Sequence, residues 1–338
     1  KLDNNINFRN IIINGDMSIA QRGTSESGIA SGGYYTVDRM RTTYVGLGTW
    51  TQSQSTDVPS GQGFGYSLKM DCTTADASPS STDRLTITQK LEGQNLQYLK
   101  KGTSFAESLT LSFWVKSNKT GIYIFEIRDI DNNRTINKSY TINSSDTWEK
   151  KTITLDGDTT GTLDNDNAES LRLNFWLGAG TSYSSGTLQT SWGSRVDANR
   201  AVGQVNLADS TSNEWYITGV QLEAGTTASD FEFLPHDVNL RRCQRYYHHT
   251  FNEGTVYDTT TDVGKFQSVH EGNIANRQYM YYYPTPMRTT PTATFTQVDI
   301  DGGGTASTTA LSGSQHFVVN GSGTGRRLTF HCKCEAEL

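Results

Sequence analysis

Leu109-Thr110-Leu111-Ser112-Phe113-Trp114-Val115-Lys116-Ser117 decides the fold class. Leu109, Leu111, Phe113 and Val115 alternate with Thr110, Ser112, Trp114 and Lys116. A period of two puts one set on each face of a pleated strand, so this stretch reads as a half-buried β-strand with Trp114 on the polar side. Leu171, Leu173, Phe175 and Leu177 repeat the pattern against Arg172, Asn174, Trp176 and Gly178. Leu85, Ile87 and Leu91, then Tyr123, Phe125 and Ile127, then Ile153 and Leu155, follow the same rule. Turn-forming clusters separate them: Asn118–Gly121, Asp131-Asn132-Asn133, Asn143–Asp146 and Asp156-Gly157-Asp158. Short antiparallel strands, each with one wet face, describe a sandwich. No strand alternates with a long helical pattern, which excludes a doubly wound parallel sheet.

The composition of the 338 residues agrees. There are 46 Thr, 32 Gly, only 6 Pro, and 10% aromatics, a β-forming and turn-forming mixture. The formal charge of -6 argues against a nucleic-acid partner, which normally meets a basic face. No apolar run approaches the roughly 20 residues a membrane-spanning helix needs, so no membrane insertion is expected.

Pro235-His236-Asp237-Val238-Asn239-Leu240-Arg241-Arg242-Cys243-Gln244-Arg245-Tyr246-Tyr247 breaks the strand rhythm. Leu240, Cys243 and Tyr247 share one helical face, and Pro then Asp at the start suit a short helix. The expected organisation is a β-sandwich over 1–234, a linking helix over 235–249 and a small β-rich domain over 250–338. His248-His249 after the helix reads as solvated. In the last part, Tyr279–Tyr283 is an aromatic strand stopped by Pro284, and Gly302-Gly303-Gly304 is a turn. Leu328, Phe330, Cys332, Cys334, Ala336 and Leu338 alternate with polar residues to the final position. Cys332 and Cys334 therefore read as core thiols, not metal ligands, because a structural zinc needs four converging ligands. Their Cα atoms, two residues apart on one face, lie at the outer limit of disulfide geometry.

Several motifs in a fixed order resemble bacteriophage tail-fibre and related virion proteins. They are Asn10-Ile11-Ile12-Ile13-Asn14-Gly15-Asp16-Met17 with Ala20-Gln21-Arg22-Gly23, Tyr35-Thr36-Val37-Asp38-Arg39-Met40, and the Leu111–Ser117 stretch. Gly203-Gln204-Val205-Asn206-Leu207, Tyr216–Gly225 and Arg242-Cys243-Gln244-Arg245-Tyr246-Tyr247 complete the set, which covers about residues 8–250. The resemblance implies a jelly-roll sandwich similar to carbohydrate-binding modules, closed by the first and last motifs lying side by side. It implies a non-enzymatic virion structural protein, located on the phage particle. A tail-fibre or receptor-binding segment contacting host surface glycan leads; a head-decoration protein and a polysaccharide depolymerase are the alternatives. It also implies a homotrimer, other virion proteins as partners, and at most one structural calcium near the opening segment, held by Asp16 and Glu223.

Sugar rings stack on aromatic faces framed by polar side chains. Trp114 and Trp176 lie on the polar side of their strands and would form a common platform if the strands were neighbours. Tyr183 and Trp192, flanking the Gly/Ser-rich stretch 178–193, form a second candidate platform. The glycine clusters Gly61–Gly65 and Gly321–Gly325 lack the strand-to-helix context and Lys-Ser/Thr of a phosphate loop and read as turns. Asp129-Ile130-Asp131-Asn132-Asn133 lacks the glycine and glutamate of an EF-hand and reads as a hairpin turn. Asp38-Arg39 reads as a structural polar pair. No histidine sits in a recognisable catalytic frame.

Overall fold

The computed structural model describes residues 8–269, 277–300, 304–308, 312–323 and 326–338. Two compact units emerge, one reaching to Ser18 and resuming over Thr24–Leu234, the other combining Ile19–Gly23 with the chain from Pro235. The opening segment is thus shared, and the first unit is not the unbroken 1–234.

The first unit is built of β1 (Ser25–Ile29), β2 (Gly33–Tyr34), β3 (Arg41–Val45), β4 (Thr49–Ser55), β5 (Ser67–Thr74), β6 (Arg84–Glu92), β7 (Leu109–Ser117) and β8 (Gly121–Asp129). It continues with β9 (Arg134–Ile142), β10 (Glu149–Leu155), β11 (Glu169–Ala179), the one-turn helix α1 (Thr181–Ser184), β12 (Gly193–Ser194) and β13 (Glu214–Ala224). Six strands form one sheet in the order β1-β4-β5-β13-β7-β10, and seven form the other in the order β12-β9-β8-β11-β6-β3-β2. The described pairings are antiparallel.

The alternation written in β7 and β11 faces the two sheets toward each other. Leu111, Phe113 and Val115 are buried in one cluster with Leu171, Leu173, Phe175 and Leu177. The Phe113 and Phe175 rings meet edge-on at 5.3 Å. The opening segment lies along β13, with Ile11 N–H donating to Leu222 O and Val220 N–H to Gly15 O, both at 2.9 Å. A Cβ on Gly15 would stand 2.0 Å from Val220 O, so only glycine fits there. The residues after it, in the second unit, meet the last motif: Gln21 Nε2 donates to Tyr247 O at 3.0 Å. Arg22 covers the Tyr247 ring at 3.7 Å. Only the Ala20–Gly23 part of the first motif meets the last, within the second unit, whereas Ile11 and Gly15 lie along β13 of the first.

In the second unit α2 (His236–Gln244) starts after Pro235, with Asp237 in its first turn and Arg241 and Arg242 in its last, the charges its dipole favours. Asn239 and Cys243 form its buried face; Leu240 is half-buried and Tyr247 has left the helix. β14 (Tyr247–His249), β15 (Phe266–Val269), β16 (Arg277–Tyr282), β17 (Thr292–Ile300), β18 (Gly304–Thr308), β19 (His316–Gly323) and β20 (Arg327–Glu335) follow. β14, β15 and β17 pair with β20, while β16, β19 and β18 make a separate sheet. Phe330, between the rings of Phe266 (4.8 Å) and Phe295 (5.1 Å), centres the core.

Three expectations change here. β20 is covered on both sides, so Thr329 and His331 are buried along with Leu328, Phe330, Cys332 and Cys334. Phe251 stacks on His331 at 3.7 Å, whereas Leu338 lies beyond the strand and is half-buried. Gly321-Ser322-Gly323 extend β19 instead of turning; Gly302, Gly303, Thr324 and Gly325 lie outside the described residues. All four cysteines are buried free thiols.

His248 and His249 are buried, not solvated, because β14 pairs with β20. His248 Nε2 bonds Tyr281 Oη at 2.9 Å and His249 Nε2 meets Gln21 O at 2.7 Å. Burial, and then the neighbouring His249, push His248 down to about 4. Burial also lowers His249 and His331. The unfolded chain, with histidines near 6.5, binds these protons more readily than the fold. Stability is therefore lost as pH falls below about 6.5. His248 alone accounts for a loss of about 2 kcal/mol by pH 5, above the range where most carboxylates titrate. Urea unfolding of the full chain should show the second unit's midpoint falling between pH 7 and 5; an unchanged midpoint would contradict the burial of these rings.

Candidate functional site

Trp114 stands on the outer face of the six-stranded sheet, opposite Lys150 of β10 and Thr218 of β13. Just past Thr218 the β13 register slips, and Gly219 takes a left-handed φ of +62°. Phe64 packs directly over that glycine; a Cβ there would meet its ring at 2.6 Å. Phe64, Phe231 and Phe233 form a three-ring group with centroids 4.8 to 5.1 Å apart.

The segment carrying Phe231 and Phe233 is held by buried polar side chains of β13. Gln221 accepts from Glu232 N–H at 2.8 Å and donates to Asp230 O at 3.2 Å. Glu223 accepts from Ser229 N–H at 2.9 Å and Ser229 Oγ at 2.7 Å. The result is a groove of about 210 Å³ with Trp114, Phe64 and Phe233 as apolar walls and Gln62, Lys150 and Asp230 among its polar lining. Rings beside amide, ammonium and carboxylate groups suit a ligand with one apolar face and hydroxyls at its edge.

Trp176 does not join Trp114. β7 and β11 belong to different sheets, so their outward faces lie on opposite sides of the sandwich. Trp176 is fully buried, because residues 180–204 fold back over that face and enclose it with Ile124, Tyr183 and Ala201. Its Nε1 donates to Glu126 Oε2 at 3.1 Å. Tyr183 and Trp192 form no common platform. Tyr183 is buried in α1, 5.5 Å from the Trp176 ring. Trp192 is half-buried on the main core, donates Nε1–H to Asp156 O at 2.8 Å and lies under Lys101.

The tie that holds the covering segment is a buried ion pair the sequence did not disclose. Arg200 donates through Nε and Nη2 to the two oxygens of Glu126, at 2.7 and 2.9 Å. Burial alone would raise the Glu126 carboxyl, yet Arg200 and then Arg128 outweigh it and hold it below the usual range. A second buried group joins Lys101, Asp129, Asp158 and Arg134 beneath the β8–β9 turn. The 129–133 stretch is that hairpin turn, as its residues imply.

Asp38 and Arg39 are buried, with Arg39 Nη2 donating to Lys90 O at 2.7 Å, a structural role. Glu223 is occupied by N–H and O–H donors, with Arg9 3.8 Å away, an environment that does not fit a calcium ligand. Asp16 is half-buried in the opening segment. Among the described residues no group of three or more His, Cys, Asp or Glu converges on a possible ion position.

No family model and no curated protein matches the sequence. Among solved structures, the enzymatically active domain of tailspike protein 4 from bacteriophage CBA120 aligns at a TM-score of 0.33 with 14% identity, over 64% of this chain and 21% of its own. A family 11 carbohydrate-binding module from Clostridium thermocellum, solved with a mixed-linked tetrasaccharide, aligns at 0.31 with 12% identity, over 61% of this chain and 99% of its own. A CBM4 structure aligns at 0.30 with 13% identity, over 62% of this chain and 97% of its own. The fold rests on the strand pairing described above.

Proposed function

We propose that the chain is a non-enzymatic phage virion structural protein, a tail-fibre or receptor-binding segment whose first unit binds host surface glycan in the Trp114 groove. The observation that carries the glycan reading is the groove itself: a half-exposed Trp ring walled by Phe64 and Phe233 and rimmed by Lys150, Asp230 and Gln62. The virion part rests on the ordered motifs, supported by the way the opening segment lies along β13 while Gln21 and Arg22 meet Tyr247. Asp230 is the one carboxylate among the groove's lining residues, where glycoside hydrolysis uses a pair.

Binding of the purified chain to immobilised host-surface glycans tests this. Trp114→Ala is expected to weaken binding about tenfold or more while lowering the melting temperature far less than Phe113→Ala, because the ring is half-buried on the outer face. Undiminished binding would remove the groove from the reading, and release of product sugars would replace a binder with a depolymerase.

The expected homotrimer is supported by Tyr282, Met280 and Val269, which stand 68%, 48% and 62% exposed on strands of the second unit. Light scattering should give three times the 37.3 kDa chain mass; a monomer mass would overturn the trimer.

A further inference from the structure

A second groove, of about 100 Å³, opens on the outer face of the seven-stranded sheet. Arg84, Arg128 and Arg172 reach it from β6, β8 and β11, and Arg195 and Arg200 from the covering segment. The register sets Arg128 directly across from Arg172, a pairing of like charges that costs stability in a sheet. Four of the five are engaged. Arg172 clasps Glu169 at 2.5 and 2.8 Å, and Arg195 donates to Asn133 at 3.0 Å and Asp197 at 2.8 Å. Arg200 donates to Glu126 and Asp197, and Arg84 to Tyr183 Oη.

Arg128 differs. Its Nε is buried without a hydrogen-bond partner, and it forms no ion pair among the described residues. Burial, then Arg200, with Arg172 and Arg195 adding, pull it down to about 10 against the opposing pull of Glu126. Three carboxylates (Glu126, Glu169 and Asp197) face five guanidinium groups here, in a chain whose net charge is -6. An unpartnered, partly desolvated guanidinium in a cationic groove is a site awaiting an anion.

We propose that this groove takes the carboxylate of an acidic sugar, a uronic acid residue, with Arg128 as its principal donor. The proposal rests on the reading of the chain as a glycan binder, not on the Trp114 groove, and adds a second site with its own ligand class. A singly charged carboxylate fits better than a phosphate dianion, because Asp197, 49% exposed, stands in the same groove and repels added negative charge. The groove lies on the opposite side of the sandwich from Trp114, so the two sites can be separated by mutation.

Calorimetric titration of the full chain with sodium glucuronate tests this, with glucose as the neutral twin and inorganic sulfate as the free oxyanion. Glucuronate is expected to bind at least tenfold more tightly than glucose or sulfate. Arg128→Met should weaken glucuronate at least tenfold without lowering the melting temperature, since it removes an unpaired cation and keeps the stem. Arg128→Lys should restore only part of the affinity, because it keeps the charge but loses the fork. Trp114→Ala should leave glucuronate binding unchanged. Neutral glycans that fail to bind while glucuronate binds through Arg128 would refute the Trp114 groove and leave this site standing. No glucuronate binding at millimolar concentration, binding indifferent to Arg128→Met, or sulfate binding as tightly as glucuronate would each overturn the proposal.

Discussion

Glu126→Ala is expected to destabilise the first unit by about 3–5 kcal/mol. The carboxylate is fully buried and accepts from Arg200 at 2.7 and 2.9 Å, Asn174 Nδ2 at 2.9 Å, Trp176 Nε1 at 3.1 Å and Thr135 Oγ1 at 3.2 Å. Its removal leaves the buried Arg200 guanidinium, next to Arg128, with only its 3.2 Å contact to the exposed Asp197, and leaves several donors without an acceptor. The cost is that of an uncompensated buried charge, not the net worth of the pair. Replacing both partners by leucine should therefore recover much of the loss. Urea denaturation, followed separately for the two units, measures it. A single variant within 1 kcal/mol of the parent would show that residues 180–204 are not tied down through this pair. The carboxyl's lowered pKa sets the pH dependence: the contribution is present above the ordinary glutamate range and fades as pH falls through the folded value.

Phe113→Ala is expected to cost about 3–5 kcal/mol in the same assay. Phe113 has no exposed surface and packs edge-on against Tyr140 at 5.0 Å and Phe175 at 5.3 Å. A cavity between two paired sheets cannot collapse without disturbing both, which puts the loss toward the upper part of the range. Trp114→Ala, one residue along the same strand, removes a larger side chain from the outer face and should cost far less. The contrast between adjacent aromatics tests the strand phase directly. Equal losses, or a stable Phe113→Ala protein, would mean the phase is wrong.

Strand phase was legible wherever apolar and polar residues alternate. The β7 and β11 alternation placed Leu111, Phe113, Leu173 and Phe175 in the core, and that of β20 placed Phe330, Cys332 and Cys334. This is legible because side-chain direction along a strand follows from covalent geometry, residue by residue. The same rule identified Trp114 and Trp176 as outward and could go no further. Strand order across the two sheets puts the two rings on opposite sides of the sandwich, and long-range folding leaves one partly open while the other is sealed. Sealing Trp176 required residues 180–204 to return over β8 and β11, with Arg200 reaching Glu126 across 74 positions of chain. His248 and His249 were lost from solvent in the same way, when Tyr247–His249 paired with the strand ending at Glu335. Outer-face burial depends on which distant segment folds back, and that choice is made by long-range pairing and buried charge, which leave no period in the local sequence.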